Sequence, residues 1–348
     1  MRLCGANGSL FNLLAIGVLV LSVFTFQQKC ATGEPRALDA STDHGLQRRT
    51  SHNVRNDDLR SWCLFQDISE SNAQQRIAER AGWFQAELPH ERNIFRSAPA
   101  ESYHSGYMVS PYFPCFFNLT KSLSVRKHFD GGKWLCGVDA FSQRPSNAQK
   151  KCVVYSFGSN YDTTFEDEIN KATAGACEIH VYDPTMTSSA LGHSERKLDA
   201  FLARLPSNFN FHKYGLSASG SQVLLENGKD AFPTVSLAEA LAENNHLTGG
   251  IDILKFDIEG FEYEMIESTP WSQIKVGLIL FEMHSKKIEK LLRRPFTLLL
   301  LHQLVQHLEN AGYRLYSTEP VCGGCLGHSE LAFVHKDWHP IHGFNWTC

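Results

Sequence analysis

Asp257 and Glu259 stand two residues apart in the run DILKFDIEGFEYEMIE, residues 252–267. Lys255 precedes them, and Glu282 and His284 end a second apolar run, KVGLILFEMH (275–284). Carboxylates, an amine and an imidazole in this mixture suit proton transfer, and Lys255, Asp257 and Glu282 could orient a base, bind substrate or hold a cation. The first run is a strand: Ile251, Ile253, Leu254, Phe256 and Ile258 leave it almost no polar face. Period-two alternation puts Lys255 and Asp257 on one side of it. Gly260 then turns the chain, and FEYEMI reads as helix, with Phe261 and Met265 four apart. Open α/β sheets place their ligand crevice outside such strand ends. A plainer reading stays open, in which a buried Lys255–Asp257 pair only holds the strand end in register. Glu282 and His284 should share a side next to that end. A histidine there is ordinarily a hydrogen-bonded structural group; next to Glu282 in a crevice it becomes a candidate base or substrate ligand.

A second set of candidates lies upstream. CVVYSF (152–157) reads as a buried strand, and FGSNYD carries it into a helix. Gly158 lets backbone N–H groups approach a ligand, and the helix start favours an anionic group. The G-x-G spacing of nucleotide sites is absent. Thr163 and Glu166 have capping-box spacing. Asp183 ends the next strand, EIHVYDP (178–184), where an acid can accept both hydroxyls of a ribose. It can equally be a turn aspartate ahead of Pro184, and that reading also stays open.

The elements that must position these groups alternate strictly. After the strands at 152 and 178, helix is expected over Glu195–Leu205, strand within 210–217, helix over Ser236–Asn244, strand from Ile251 and strand over 275–284. A helix follows over Phe296–Asn310, and YRLYSTEP and ELAFVHK form a closing antiparallel pair. Alternation of this kind predicts an α/β fold, a doubly wound, mostly parallel sheet with an antiparallel edge hairpin. Residues 151–348 form this domain. Residues 59–150, rich in aromatics and with helix over Asp67–Gln85, read as an extension packing on it. Residues 34–58 read as a polar stem or linker.

Residues 1–33 set the compartment. The run Leu10–Phe26 has no charged side chain. It exceeds the usual signal-peptide core of about 7–15 residues and is slightly shorter than the roughly 20 of a typical span. It predicts a signal anchor, single-pass and type II, with the rest of the chain in the lumen of the secretory pathway, the Golgi included. Cleavage near Ala31-Thr32-Gly33, and secretion, is the alternative. The chain has 348 residues, 10 cysteines and a formal net charge of −4. The cysteine count suits an oxidising compartment and at least one disulfide, although Cys152 and Cys177, flanking core strands, could be free and buried. Asn118-Leu-Thr120 and Asn345-Trp-Thr347 are glycosylation sequons. No basic run marks a nucleic-acid footprint. Cys322-Gly-Gly-Cys325 with His328, His335, His339, His342 and Cys348 reads as structural cysteines in a turn, with zinc or redox chemistry as lesser readings and no metal site assigned.

FGSNYDTTFEDEI, VYDPT, LKFDIEGFEYEMIE and LFEMH, in this order, resemble the FkbM-type branch of S-adenosylmethionine-dependent methyltransferases. Asp257, Glu259, Gly260 and Glu262 form its D-x-E-G-x-E mark. DGGKWLCG (130–137) is similar to the animal methyltransferase-like protein 24 group, and the likeness covers about residues 115–335. The resemblance implies a Rossmann-like fold binding S-adenosylmethionine. It implies that Gly158, Ser159 and Asn160 cradle the methionine part, Asp183 the ribose, and Asp257 the region near the sulfonium. The methyl acceptor would be a hydroxyl, on a glycan or glycoprotein given the lumen. His284 would act as base, with Glu282, Lys255 and Asp257 orienting the groups. A methyltransferase fold that binds without turnover is the alternative. A nicotinamide oxidoreductase is disfavoured, because no tyrosine has a lysine four residues later and G-x-G-x-x-G is missing. An amino-directed methyltransferase would want an Asp/Asn-Pro-Pro-aromatic motif after the fourth strand; Ser110-Pro-Tyr-Phe113 comes too early.

Overall fold

A computed structural model of the chain describes residues 56–87, 110–122, 132–144, 152–187, 194–220, 222–224, 231–321 and 328–344. In chain order the elements are α1 (Asn56–Glu87), β1 (Leu119–Lys121), β2 (Trp134–Cys136), β3 (Cys152–Phe157), α2 (Thr164–Ala172), β4 (Cys177–Tyr182), α3 (Glu195–Leu202) and β5 (Phe209–His212). Then come β6 (Gly215–Leu216), β7 (Gln222–Leu224), β8 (Ala231–Val235), α4 (Leu237–Glu243), β9 (Ile251–Phe256), α5 (Glu262–Ser268) and β10 (Val276–His284). The chain continues through α6 (Ser285–Leu292), α7 (Leu298–Asn310), β11 (Tyr313–Pro320) and β12 (His328–His335).

Seven strands form one sheet in the order β11-β12-β10-β9-β3-β4-β5. From β5 to β10 every neighbouring pair is parallel. The chain winds outward from β3 through β4 to β5, then returns to lay β9 on the other side of β3. The carboxyl ends of β3 and β9 are therefore the switch point of a doubly wound sheet, the place where such sheets take their ligands. The closing hairpin is present, with one refinement. Its second strand, β12, inserts antiparallel between β10 and β11 and leaves β11 at the edge.

Both faces of the sheet are covered, which is why β3, β9 and β10 read as continuous apolar runs. On one face Tyr155, Phe157, Leu254, Phe256, Ile279 and Phe281 pack with Leu241, Met265, Leu304 and Leu308 from α4, α5 and α7. On the other, Val154, Ile253, Leu278, Leu280 and Ala332 pack with Phe165 and Ile169 of α2 and with Phe113, Leu135 and Phe141.

Two local expectations change. Thr163 makes no side-chain cap; its hydroxyl donates to Asp167 at 2.8 Å, while Asp162 accepts the Thr164 N–H at 3.0 Å. Glu166 turns inward, where burial raises its pKa against the pull of Lys255. The capping box forms instead at Ser236 and Glu239 on α4. Cys152 and Cys177 are bonded to each other, because the β3–β4 register sets them directly opposite. Cys115 and Cys136 form a second disulfide. The run Leu10–Phe26, the Cys322/Cys325 pair, Cys348 and the Asn345 sequon lie outside the described residues. Among the described residues no helix is long and apolar enough to cross a membrane.

Candidate functional site

Alternation carries one polar residue from each central strand to the same face, just above the apolar layer. Ser156, Lys255, Glu282 and Glu330 each stand two residues from a core residue of that face: Val154, Ile253, Leu280 and Ala332. The sheet register sets Ser156 opposite Lys255 and Glu282 opposite Glu330. Two glutamates facing each other across antiparallel strands repel. Lys133, immediately before β2, resolves this. Its Nζ lies 2.5 Å from Glu330 Oε1 and 4.0 Å from Glu282 Oε2. Burial works against its charge, but Glu330, Asp257 and Glu282 outweigh that and hold the ammonium above its ordinary pKa.

Lys255 takes a different part from the one expected. Its Nζ donates to the carbonyls of Gly158 (2.8 Å) and Phe157 (3.2 Å), so it ties the end of β3 to β9. The two chains pass closely there. A Cβ on Gly158, whose φ is +83°, would sit 2.0 Å from the Asp257 carbonyl oxygen. Glycine is required by that approach before any ligand is considered. Asn160 and Tyr161 follow with φ of 45° and 66°. Asparagine, one of the residues that tolerate the left-handed region, stands where a second glycine was missed.

Asp183 organises this turn. Its Oδ2 accepts the Asn160 N–H at 2.6 Å, and its Oδ1 accepts the N–H (2.8 Å) and hydroxyl (2.6 Å) of Thr185. The turn reading of Asp183 is thus present in the structure. One acceptor site on Oδ2 remains for a ligand. Ser159 is buried, with its hydroxyl 3.7 Å from Met186 Sδ.

Asp257, Glu282 and His284 do converge. His284 Nε2 lies 3.6 Å from Asp257 Oδ1, 3.6 Å from Glu282 Oε1 and 3.4 Å from Glu259 Oε2. Its Nδ1 is 2.8 Å from Oε1 of Glu262, which is fully buried and also accepts the Gly260 N–H at 3.1 Å. Burial alone would lower the His284 pKa, yet the Glu262 hydrogen bond and charge, then Asp257 and Glu282, push it up to about 9. Glu282 is pushed up to about 8 by burial and by the charges of Asp257 and Glu330, against Lys133 and His284. Burial opposes ionisation of Asp257, but Lys133, Lys255, His284 and a hydrogen bond with Glu282 hold its pKa low. These groups hold their protons jointly. Near neutral pH His284 is an imidazolium, which cannot act as a base by itself.

Glu259 is exposed, adopts φ 58° and is paired with Lys287. Lys133, Glu262 and Glu330 were not among the expected site residues. The signals were a lysine inside GGKW, a glutamate opening the short helix after Gly260, and a glutamate on the core face of ELAFVHK.

A family model described as a methyltransferase domain matches residues 57–335. The human protein named "Probable methyltransferase-like protein 24" is 25% identical over 181 residues, covering 51% of this chain and 45% of its own length. The rat protein of that name is 26% identical over 190 residues, covering 53% and 48%. The chain therefore spans about half the length of these curated relatives. Among solved structures, the methyltransferase FkbM from Methylobacillus flagellatus aligns with a TM-score of 0.35 at 12% identity, over 55% of this chain and 47% of that one. Aeropyrum pernix fibrillarin, solved with natively bound S-adenosyl-L-methionine, aligns with a TM-score of 0.32 at 11% identity, over 62% and 88%. The fold itself rests on the strand order above.

Proposed function

The chain belongs to the family of this methyltransferase domain, and on that premise we propose that it transfers a methyl group from S-adenosylmethionine to a hydroxyl acceptor. One observation carries the reading. At the β3–β9 switch point, a left-handed turn tied to Asp183 faces a cluster of carboxylates and an imidazole. The turn Gly158–Asn160 would take the methionine part of the cofactor, and the remaining Oδ2 site of Asp183 a ribose hydroxyl. Asp257, ionised and a quarter exposed, would face the sulfonium.

The sulfonium is already an activated donor, so the residues mainly align an acceptor oxygen with the methyl carbon. The acceptor's proton would enter the Asp257–Glu282–His284 cluster as a unit, with His284 the base only when its neighbours' charge is offset. Lys255 would act by fixing the crevice wall.

The compartment belongs to the same proposal. Two disulfides among the described residues suit an oxidising lumen, and Asn118 of the first sequon is exposed. With the apolar run Leu10–Phe26, they support a membrane-anchored protein of the secretory pathway, acting on a glycan or glycoprotein hydroxyl.

Calorimetric titration of the full chain with S-adenosylmethionine and S-adenosylhomocysteine tests the cofactor. Transfer of a labelled methyl to hydroxylated glycans tests the acceptor. Saturating cofactor concentrations without binding would end the reading. Binding without turnover on any acceptor would favour a binding protein, and one feature leans that way: Asp183 Oδ1 is already filled by Thr185.

A further inference from the structure

We propose that Asp257, Glu259 and His284, with Glu282 beside them, form a site for a divalent first-row transition metal ion. The three distances from His284 Nε2, 3.4, 3.6 and 3.6 Å, are nearly equal. They are too long for charge-assisted hydrogen bonds, which run about 2.7–2.9 Å. They match the edge of a tetrahedral coordination shell, about 3.4 Å for metal–ligand bonds of about 2.1 Å. Asp257, Glu259 and His284 each offer a ligand atom within 4.8 Å of the other two, and Glu282 Oε1 stands beside Nε2 at 3.6 Å.

Two further features point to a ligand. Asp257 and Glu282 are in hydrogen-bond contact, and two carboxylates that close need either a shared proton or a cation between them. Glu262 is fully buried and holds Nδ1 of His284 at 2.8 Å, while its Oε2 is buried with no hydrogen-bond partner among the described residues. A carboxylate on the far nitrogen is the arrangement that fixes a metal-ligating histidine, with Nδ1–H donating and Nε2 turned to the ion. Glu262 would be a positioning residue here.

The site is closed on one side and open on the other. The side chains of His284 and Glu282 are 5% and 4% exposed, those of Asp257 and Glu259 25% and 60%. The open side is where a metal site that acts on a ligand keeps a position for water or substrate. Resting on the reading above, that position would take the acceptor hydroxyl. Carboxylates joined by one imidazole favour Mn²⁺ or Zn²⁺ over Ca²⁺, whose preferred ligands are all oxygen. Lys287 meets Glu259 from solvent, and an entering ion would displace its ammonium.

The test is calorimetry of the chelator-stripped full chain with MnCl₂, ZnCl₂ or CaCl₂ alone, with Mn²⁺ also followed by electron paramagnetic resonance. One equivalent of Mn²⁺ or Zn²⁺ should bind, and Ca²⁺ at least tenfold more weakly. Asp257→Asn and Glu259→Gln should each weaken Mn²⁺ at least tenfold, and Glu262→Gln about 10–100-fold. Lys287→Ala should tighten it. Glu259 is mostly exposed, so Glu259→Gln reports on the site even if a buried variant misfolds. No Mn²⁺ or Zn²⁺ binding, or binding that ignores both Asp257→Asn and Glu259→Gln, overturns the proposal. Cofactor binding without metal binding would sink this site alone. Metal binding lost with those ligands, but with no cofactor binding, would uphold the site and sink the methyl-transfer reading.

Discussion

His284 and His180 are both buried, yet they sit in opposite electrostatic worlds. His180 is stacked between Tyr155 and His212, whose ring centroids lie 4.7 and 5.2 Å away, and its two nitrogens meet His212 (2.9 Å) and Glu178 (2.9 Å). Burial wins there: the His180 pKa is lowered, and His212 is pushed down to about 4 by burial and then by His180. His284 feels the same burial, but Glu262, Asp257 and Glu282 reverse it. One carboxylate, itself a third exposed, does not keep a buried histidine charged; several at strand ends do. A charged buried imidazole therefore marks where the fold has gathered carboxylates for another purpose.

The sharpest way to break the charged region is to remove its buried cation. Lys133→Met leaves Glu282 and Glu330 opposed without a counter-charge, and should cost about 3–5 kcal/mol of stability. Urea unfolding checks it, and a loss below about 1 kcal/mol would show that the two glutamates are simply protonated. Next, His284→Ala should lower methyl-transfer kcat by about 10²–10⁴ with cofactor affinity nearly unchanged. His180→Phe, which keeps the stack, should leave kcat within about twofold. If both variants lose activity equally, the contrast between the two histidines has no functional content.

Asp183→Ala removes three hydrogen bonds from the first turn. It should weaken S-adenosylmethionine by about 1.5–3 kcal/mol and also lower the melting temperature, because the turn itself depends on Asp183. Unchanged affinity in titration would leave Asp183 a purely structural residue. The smallest effect is one of pH. His212 and His302 are pushed down to about 4 and His339 to about 3, each chiefly by burial. Unfolded, they would bind protons near pH 6.5. Their contribution is thus present above pH 6.5 and is lost as pH falls toward 4. Thermal melts should show stability declining over that window, less steeply in His212→Phe. A flat profile would mean that these rings already protonate when folded.

The sheet was legible because β3, β9 and β10 are buried on both faces and so read as unbroken apolar runs. Asp257, Glu282 and His284 were legible for the same reason: a charge that ends such a run has nowhere to be but the sheet's rim. Lys133 and Glu330 were not. Their meaning comes from the β10–β12 register and from a residue just ahead of β2, some 150 positions before Glu282 in the chain, and no local pattern encodes a pairing at that distance. Lys255 was misread in part, since an ammonium capping two backbone carbonyls looks in sequence like one facing a carboxylate. The strands of the small sheet β6, β8 and β7 are two to five residues long, too short to show an alternation, whereas α6 does carry Ile288, Leu291 and Leu292 at helical spacing. Thr163 fits a capping box by spacing alone, and the inward turn of Glu166 defeats it.

The Cys152–Cys177 bond has a bearing on how the molecule is made. It closes a covalent ring over a sequence separation of 25 residues, and that ring contains β3, the Gly158–Asn160 turn and α2. A chain entering an oxidising compartment amino end first can complete this ring while β9, more than 70 residues further on, is still unsynthesised. One wall of the crevice can thus be a closed, tethered unit before the opposite wall exists, and β9 then docks against a nascent template.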